Sequence, residues 1–222
     1  MLRNMERNIA ERLSKELKVD IAQVVREYYE ILVLKELADN PISDKVVFKG
    51  GTALRLAYGS PRFSEDLDFS IISELNDANF LNTLQKIISH IPDSEITDLA
   101  EKYYTYLAEI KISKDFLALP FRVKIEISKR IEKKYAWKLQ LIKSPCSIYS
   151  ALLNTATLEQ LYIDKQLCLE GRAQPKDLFD YWYISEILKR PYNPGVKIDK
   201  KILKRDLKKF LPISFHKVLE KL

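Results

Sequence analysis

Two acids one residue apart, Asp66 and Asp68, share the stretch "VVFKGGTALRLAYGSPRFSEDLDFSI" (residues 46–71) with three of the chain's five glycines. Read as a strand, "DLDFS" puts both carboxylates on one face and Leu67 and Phe69 on the other, because side chains alternate along a strand. The carboxylates then stand about 7 Å apart, at roughly 3.3–3.4 Å per residue. Strands avoid aspartate, and like charges at this spacing repel. A divalent cation relieves the repulsion. Hard cations such as Mg²⁺ take oxygen ligands, commonly one or two carboxylates plus substrate phosphates. Taken alone, the pair fits equally well an exposed strand end with two solvated acids.

Gly50 and Gly51 follow a short β-branched run and precede a helix. Glycine there lets the backbone turn sharply and lets another group approach closely. The N–H groups that open the helix favour a phosphate, and Thr52 can cap the helix or offer its hydroxyl to a phosphate oxygen. A strand-to-helix turn also needs glycine for steric reasons alone. It is the combination, a phosphate-friendly turn close ahead of two carboxylates at a neighbouring strand end, that suggests a triphosphate sharing its cation with Asp66 and Asp68. Glu126, on the polar face of "FRVKIEIS", offers a third carboxylate. Two metals about 3.5–4 Å apart can activate an attacking hydroxyl and stabilise departing pyrophosphate.

The elements that must hold these residues are readable from periodicity. Leu2, Met5, Ile9, Leu13 and Leu17 recur at helical spacing, and Asp20 can cap a second helix that "DNP" (Asp39–Pro41) ends. Lys45–Phe48 reads as a strand, "GGTALRLAYG" as turn, helix and glycine stop, and Asp66–Ile72 as a second strand. A helix follows over about Asp77–His90. Tyr103–Ser113 and Phe121–Ser128 alternate as antiparallel strands, and from Thr157 onward the chain reads as helical. The predicted fold class is α+β: N-terminal helices over residues 1–44, a small mixed-sheet core over 45–145, and a helical region over 146–222.

The 46% hydrophobic content suits a globular chain with a real core, and no apolar run reaches the roughly 18 residues of a membrane span. "MLRNMERNIAERLSK" is charged from the start, unlike a signal peptide. Cys146 and Cys168 form neither a disulfide framework nor a zinc spacing, and His90 and His216 are too isolated for a metal site or a triad. The expected location is the cytoplasm. The net charge of +6 is unevenly spread: Lys111–Lys143 and Arg190–Leu222 each hold ten basic and three acidic residues. Two such blocks suggest a polyanionic partner, nucleotide or nucleic acid; the second block also fits the wet face of a lysine-rich helix.

"KGGTALRLAYG…RFSEDLDFS" resembles the motif of the AbiEii/AbiGii-type nucleotidyltransferase toxins, which include the MenT toxins and belong to the DNA polymerase beta-like nucleotidyltransferase superfamily. A second match is "TLEQLYIDKQLCLEGRAQPKDLFDYWYI", residues 157–184, similar to the family's later lysine and Arg/Lys-Asp-x-x-Asp motifs at Lys165, Lys176, Asp177 and Asp180. The resemblance implies that Gly50, Gly51 and Thr52 hold nucleotide phosphates, that Asp66 and Asp68 bind Mg²⁺ or Mn²⁺, and that Lys165 reaches the triphosphate. Ser64 would bond a phosphate or position Asp66. Arg62 would meet phosphate or form a surface ion pair. Asp177 would orient Lys165 or the acceptor, or serve as a helix N-terminal acid. Lys176 stands where many members carry arginine, which removes a bidentate contact, and Glu126 matches the third acid of the superfamily only loosely.

The family implies transfer of a nucleoside monophosphate from an NTP, with loss of pyrophosphate, by the toxin of a toxin–antitoxin or abortive-infection system. For several relatives the acceptor is the 3′ end of tRNA, and a cognate antitoxin is expected as partner. Two other readings stay open: a nucleotidyltransferase acting on a protein or small molecule, and an inactive protein that only binds nucleotide or RNA.

Overall fold

The structure, a computed structural model, describes residues 3–73, 77–130 and 134–222, with backbone alone for residues 77–80. Its centre is a seven-stranded mixed sheet, in the order β3-β4-β5-β2-β1-β7-β6. The strands are β1 (Val46–Lys49), β2 (Asp66–Ile71), β3 (Ser94–Glu101), β4 (Thr105–Ile112), β5 (Phe121–Ser128), β6 (Trp137–Lys143) and β7 (Ser150–Ala156). β1 pairs antiparallel with β2 and parallel with β7, while β2 pairs parallel with β5. The mixed α+β class is as the sequence predicts.

The strand alternation sorts side chains into two layers. Val46, Phe48, Leu67, Phe69, Ile71, Val123, Ile125 and Ile127 join one large core. Against it lie α2 (Ile21–Ala38) and α4 (Asp77–Ser89), with α1 (Arg7–Leu17) packed on α2. Asp20 caps α2 through the Ala22 N–H, as its position before the apolar run predicts. The helix predicted from residue 2 begins at Arg7, and Leu2 lies outside the described residues. On the opposite face, Val47 packs with Leu54 of α3 (Gly50–Tyr58), with Leu158 and Leu161 of α5 (Leu158–Gly171), and with Ile184 of α6 (Pro175–Leu188). A third cluster joins α5 and α6 to α7 (Lys200–Leu207) and the C-terminal 3₁₀ segments. Among the described residues, no helix is long and apolar enough to cross a membrane.

Three strands were not expected from periodicity: β3, β6 and β7. The sheet also runs past residue 145, where the sequence reading places its end, because β7 inserts beside β1. This matters for the site. With β7 on one side and β2 on the other, β1 is an interior strand, and the turn after it is fixed from both sides.

Candidate active site

The antiparallel register places Lys49 opposite Asp68, so the β1–α3 turn lies directly against the acidic strand. Gly50 adopts φ +78°, and a Cβ there would collide with the Asp68 carboxylate. Only glycine combines that left-handed backbone with such a close approach. A Cβ at Gly51 would strike the Arg62 guanidinium and crowd the Ser64 hydroxyl. The two glycines therefore serve two neighbours, Asp68 and Arg62. No side chain caps the N-terminus of α3, which leaves its opening amides for a ligand. Thr52 does not supply the cap: it is buried, and its hydroxyl donates to the Asp66 carbonyl at 2.5 Å, tying α3 to the start of β2.

Leu67 and Phe69 are buried in the core, so Asp66 and Asp68 project from the other face. The parallel register with β5 sets Asp66 beside Lys124 and Asp68 beside Glu126. Lys124 Nζ is 2.6 Å from Glu126 Oε1, which engages the third carboxylate. Glu126 is thus adjacent to the pair, but among the described residues no three acid, histidine or cysteine side chains converge as a metal-holding group. Glu126, expected as a third ligand, thus lies next to Asp68 with its carboxylate engaged by Lys124.

Asp66 and Asp68 are not neutralised from within. Burial raises the Asp68 pKa and Asp66 raises it further, with only partial relief from Lys165 and Lys49. Burial also raises Asp66, against the opposing pull of Lys176 and Lys124. Lys176 Nζ stands 3.9 Å from Asp66 Oδ2. Among the described residues, the Asp68 carboxylate accepts no hydrogen bond and joins no ion pair.

Behind this pair lies a second acidic pair in the opposite condition. Asp177 and Asp180, one turn apart on α6, are fully buried. Arg62 donates to Asp180 in bidentate fashion, Nε to Oδ1 at 2.7 Å and Nη2 to Oδ2 at 2.7 Å. Lys165 Nζ reaches Asp177 at 2.8 Å and Asp180 at 2.7 Å. Arg172 adds a contact to Asp177 at 3.0 Å. Burial pushes both carboxyls up, but Arg62 and Lys165 at Asp180, and Lys165 and Arg172 at Asp177, outweigh it and hold both below the usual value. Burial likewise opposes charge on Lys165, and Asp180 and Asp177 prevail and raise its pKa.

Several expected residues thus take different places. Arg62 is neither a surface pair nor free for phosphate: it is 2% exposed, spent on Asp180 and, at 3.0 Å, on the Phe63 carbonyl. Lys165, expected at the triphosphate, is buried between two carboxylates. Asp177 does contact Lys165 and also sits in the first turn of α6, so both readings of it describe its position. Ser64 faces Gly51. The sequence reading missed Lys49 and Arg172. Lys49 had no register signal, since β1 and β2 are joined through α3 and not by a hairpin turn that would set Lys49 opposite Asp68. Arg172 carried no signal, since it follows α5 in a loop.

The chain is similar to known proteins in sequence family and in fold. The family model of the AbiEii nucleotidyltransferase toxins of type IV toxin–antitoxin systems matches residues 32–214, which include both acidic pairs. No curated protein sequence matches the chain. JHP933 from Helicobacter pylori has a similar solved structure, with TM-score 0.54 at 24% identity over 76% of this chain and 68% of that one. MenT4, a nucleotidyltransferase toxin of Mycobacterium tuberculosis, is similar with TM-score 0.59 at 16% identity, over 91% of this chain and 68% of its own. These structural likenesses concern the fold; the family match covers most of the sequence. The chain belongs to the AbiEii family of nucleotidyltransferase toxins of type IV toxin–antitoxin systems.

Proposed function

We propose that this nucleotidyltransferase transfers a nucleoside monophosphate from an NTP to an RNA acceptor, the 3′ end of a tRNA, with Mg²⁺ or Mn²⁺ held at Asp66 and Asp68. The observation that carries the reading is the packing of Asp68 against Gly50: the carboxylate and the amides opening α3 share one small space. The donor set fits a hard divalent cation, since two oxygen-bearing side chains lie side by side without enough internal cation to settle their charge. When bound there, such a cation supplies Lewis acidity at the phosphates and charge stabilisation for departing pyrophosphate.

The remaining chemistry belongs to the chain. The Gly50–Thr52 amides, pointing out of a helix N-terminus, receive phosphate oxygens. Lys176 and Lys49, flanking the two aspartates, add positive charge where pyrophosphate leaves. Lys165, Asp177, Asp180 and Arg62 act as positioning residues: they fix α6 against the glycine turn and set the field at Asp68. The antitoxin that the family implies would restrain this activity in the cell.

The experiment is incubation with each radiolabelled NTP, plus total bacterial RNA or total protein, with and without Mg²⁺. The reading expects cation-dependent label in small RNA, absent for Asp68→Asn. Label confined to protein would replace the RNA acceptor with a protein one, and cation-independent label would remove the role assigned to Asp66 and Asp68.

A further inference from the structure

Buried Arg62 and Lys165 are consumed by Asp177 and Asp180, whereas, among the described residues, a set of exposed lysines joins no ion pair. Two clefts meet at Lys209. The first, of about 670 Å³, lies between the first turn of α6 and the end of α7, lined by Lys176, Arg205, Asp206 and Lys209. The second, of about 740 Å³, lies between the α1–α2 corner and the C-terminal segment, lined by Lys15, Lys18, Asp20, Lys208 and Lys209. One end of this path is at the active site, because Lys176 stands 3.9 Å from Asp66. The walls are tied to the rest of the fold: the Phe63 N–H donates to the Phe210 carbonyl at 2.8 Å, and the Ile213 N–H to the Lys18 carbonyl at 3.2 Å.

Lys15, Lys18, Lys208 and Lys209 are exposed, and among the described residues none of them joins an ion pair, although Lys209 Nζ lies 4.4 Å from the Phe210 ring centre. The two acids on the path are occupied, Asp20 with the Ala22 N–H and Asp206 with Arg205. The other basic block is largely paired: Lys134, Lys138 and Lys143 are exposed and join no ion pair among the described residues, but its other described cations have partners. Lys111, Lys114, Arg122, Lys124 and Lys129 are paired with Glu95, Asp93, Glu109, Glu126 and Glu101, and Arg130 lies over the Tyr104 ring. Clusters of unpaired cations attract phosphates with release of counterions. A mononucleotide would occupy the first cleft alone; cations repeated along both clefts match a chain that repeats its phosphates.

We propose that the backbone of the acceptor RNA lies along this path, entering past Lys176 and running over Lys209 toward Lys15 and Lys18. The proposal rests on the RNA reading above and adds the surface that holds the acceptor. The test is fluorescence anisotropy with end-labelled, unfractionated bacterial tRNA across a salt series. It compares the wild type, the variant K15Q/K18Q/K208Q/K209Q and the control K134Q/K138Q/K143Q. Non-hydrolysable NTP analogues are titrated in parallel. The quadruple variant should lose tRNA affinity, with the slope of log K against log salt falling by about 3, at roughly 0.7 per single-strand phosphate. Its NTP affinity and circular dichroism should match the wild type, and the control should keep the full slope. A wild-type slope in the quadruple variant, or loss in the control instead, overturns the path and leaves the RNA reading standing. A wild type that binds no tRNA overturns the RNA reading, and the path with it.

Discussion

Asp66–Asp68 and Asp177–Asp180 are two pairs of the same residue, close in space and opposite in condition. The pair on β2 has its carboxyl pKa values raised, both by burial and Asp68 also by repulsion from Asp66. The pair on α6, more deeply buried, has them lowered, because Arg62, Lys165 and Arg172 are built in. Burial alone therefore does not mark the reactive acids. The mark is whether the protein brings its own counter-charge. Where it does, the carboxylates hold the structure; where it does not, they are the pair to which the proposed function assigns the substrate's cation.

The contrast is sharpest in opposite responses to the same substitution. Asp68→Asn should abolish transfer, a loss of roughly 10³-fold or more if several kcal/mol of charge stabilisation go with it. Relief of the repulsion should at the same time raise Tm in the absence of metal, by about 2–4 °C for each ~1 kcal/mol. Asp180→Ala should do the reverse: it strands Arg62 in the interior, leaves Lys165 with Asp177 alone, and should cost about 3–5 kcal/mol in denaturant unfolding. If Asp68→Asn destabilised the fold as much as Asp180→Ala does, the division between the two pairs would be wrong.

Lys165 touches both Asp177 and Asp180 and also lowers the Asp68 pKa, so it couples the two pairs. Lys165→Met should reduce the rate by roughly 10²–10³-fold. It should also move the acidic limb of the pH–rate profile upward, a shift that a merely structural role would not produce. Gly50→Ala should cost about 1–3 kcal/mol for the left-handed backbone and displace Asp68, lowering kcat together with stability.

The smallest effect is in acid. Asp177 and Asp180 have folded values below their ordinary 3.8, so the stability they contribute is present above that value. It is lost as pH falls further, through the folded values. In urea unfolding between about pH 5 and pH 2, Asp180→Asn should therefore flatten the decline of the wild type.

Local features were legible in the sequence. Asp20 before an apolar run gave the α2 cap, and the alternation of Asp66, Leu67, Asp68 and Phe69 gave the orientation of the acids. The doubled glycine beside them gave the turn. What stayed hidden depends on distant contacts. Arg62 pairs with a residue 118 positions away, and nothing in "SPRFS" distinguishes a buried guanidinium from an exposed one. β6 was missed although Trp137, Leu139 and Leu141 alternate, since its apolar side chains remain largely exposed. β7, "SALLNTA", has no clear alternation of types, because β1 on one side and β6 on the other decide its place. Of the basic block Lys111–Lys143, which suggested a polyanionic partner, residues 131–133 lie outside the described residues, while Lys129 and Arg130 already have partners.

The most direct measurement is calorimetric titration of Mn²⁺ with a non-hydrolysable NTP analogue into the wild type and into Asp66→Asn/Asp68→Asn, with the fold of each checked by circular dichroism. The account predicts joint binding of metal and nucleotide by the wild type, and its loss in a variant that remains folded. Equal metal-dependent binding by both proteins would contradict it.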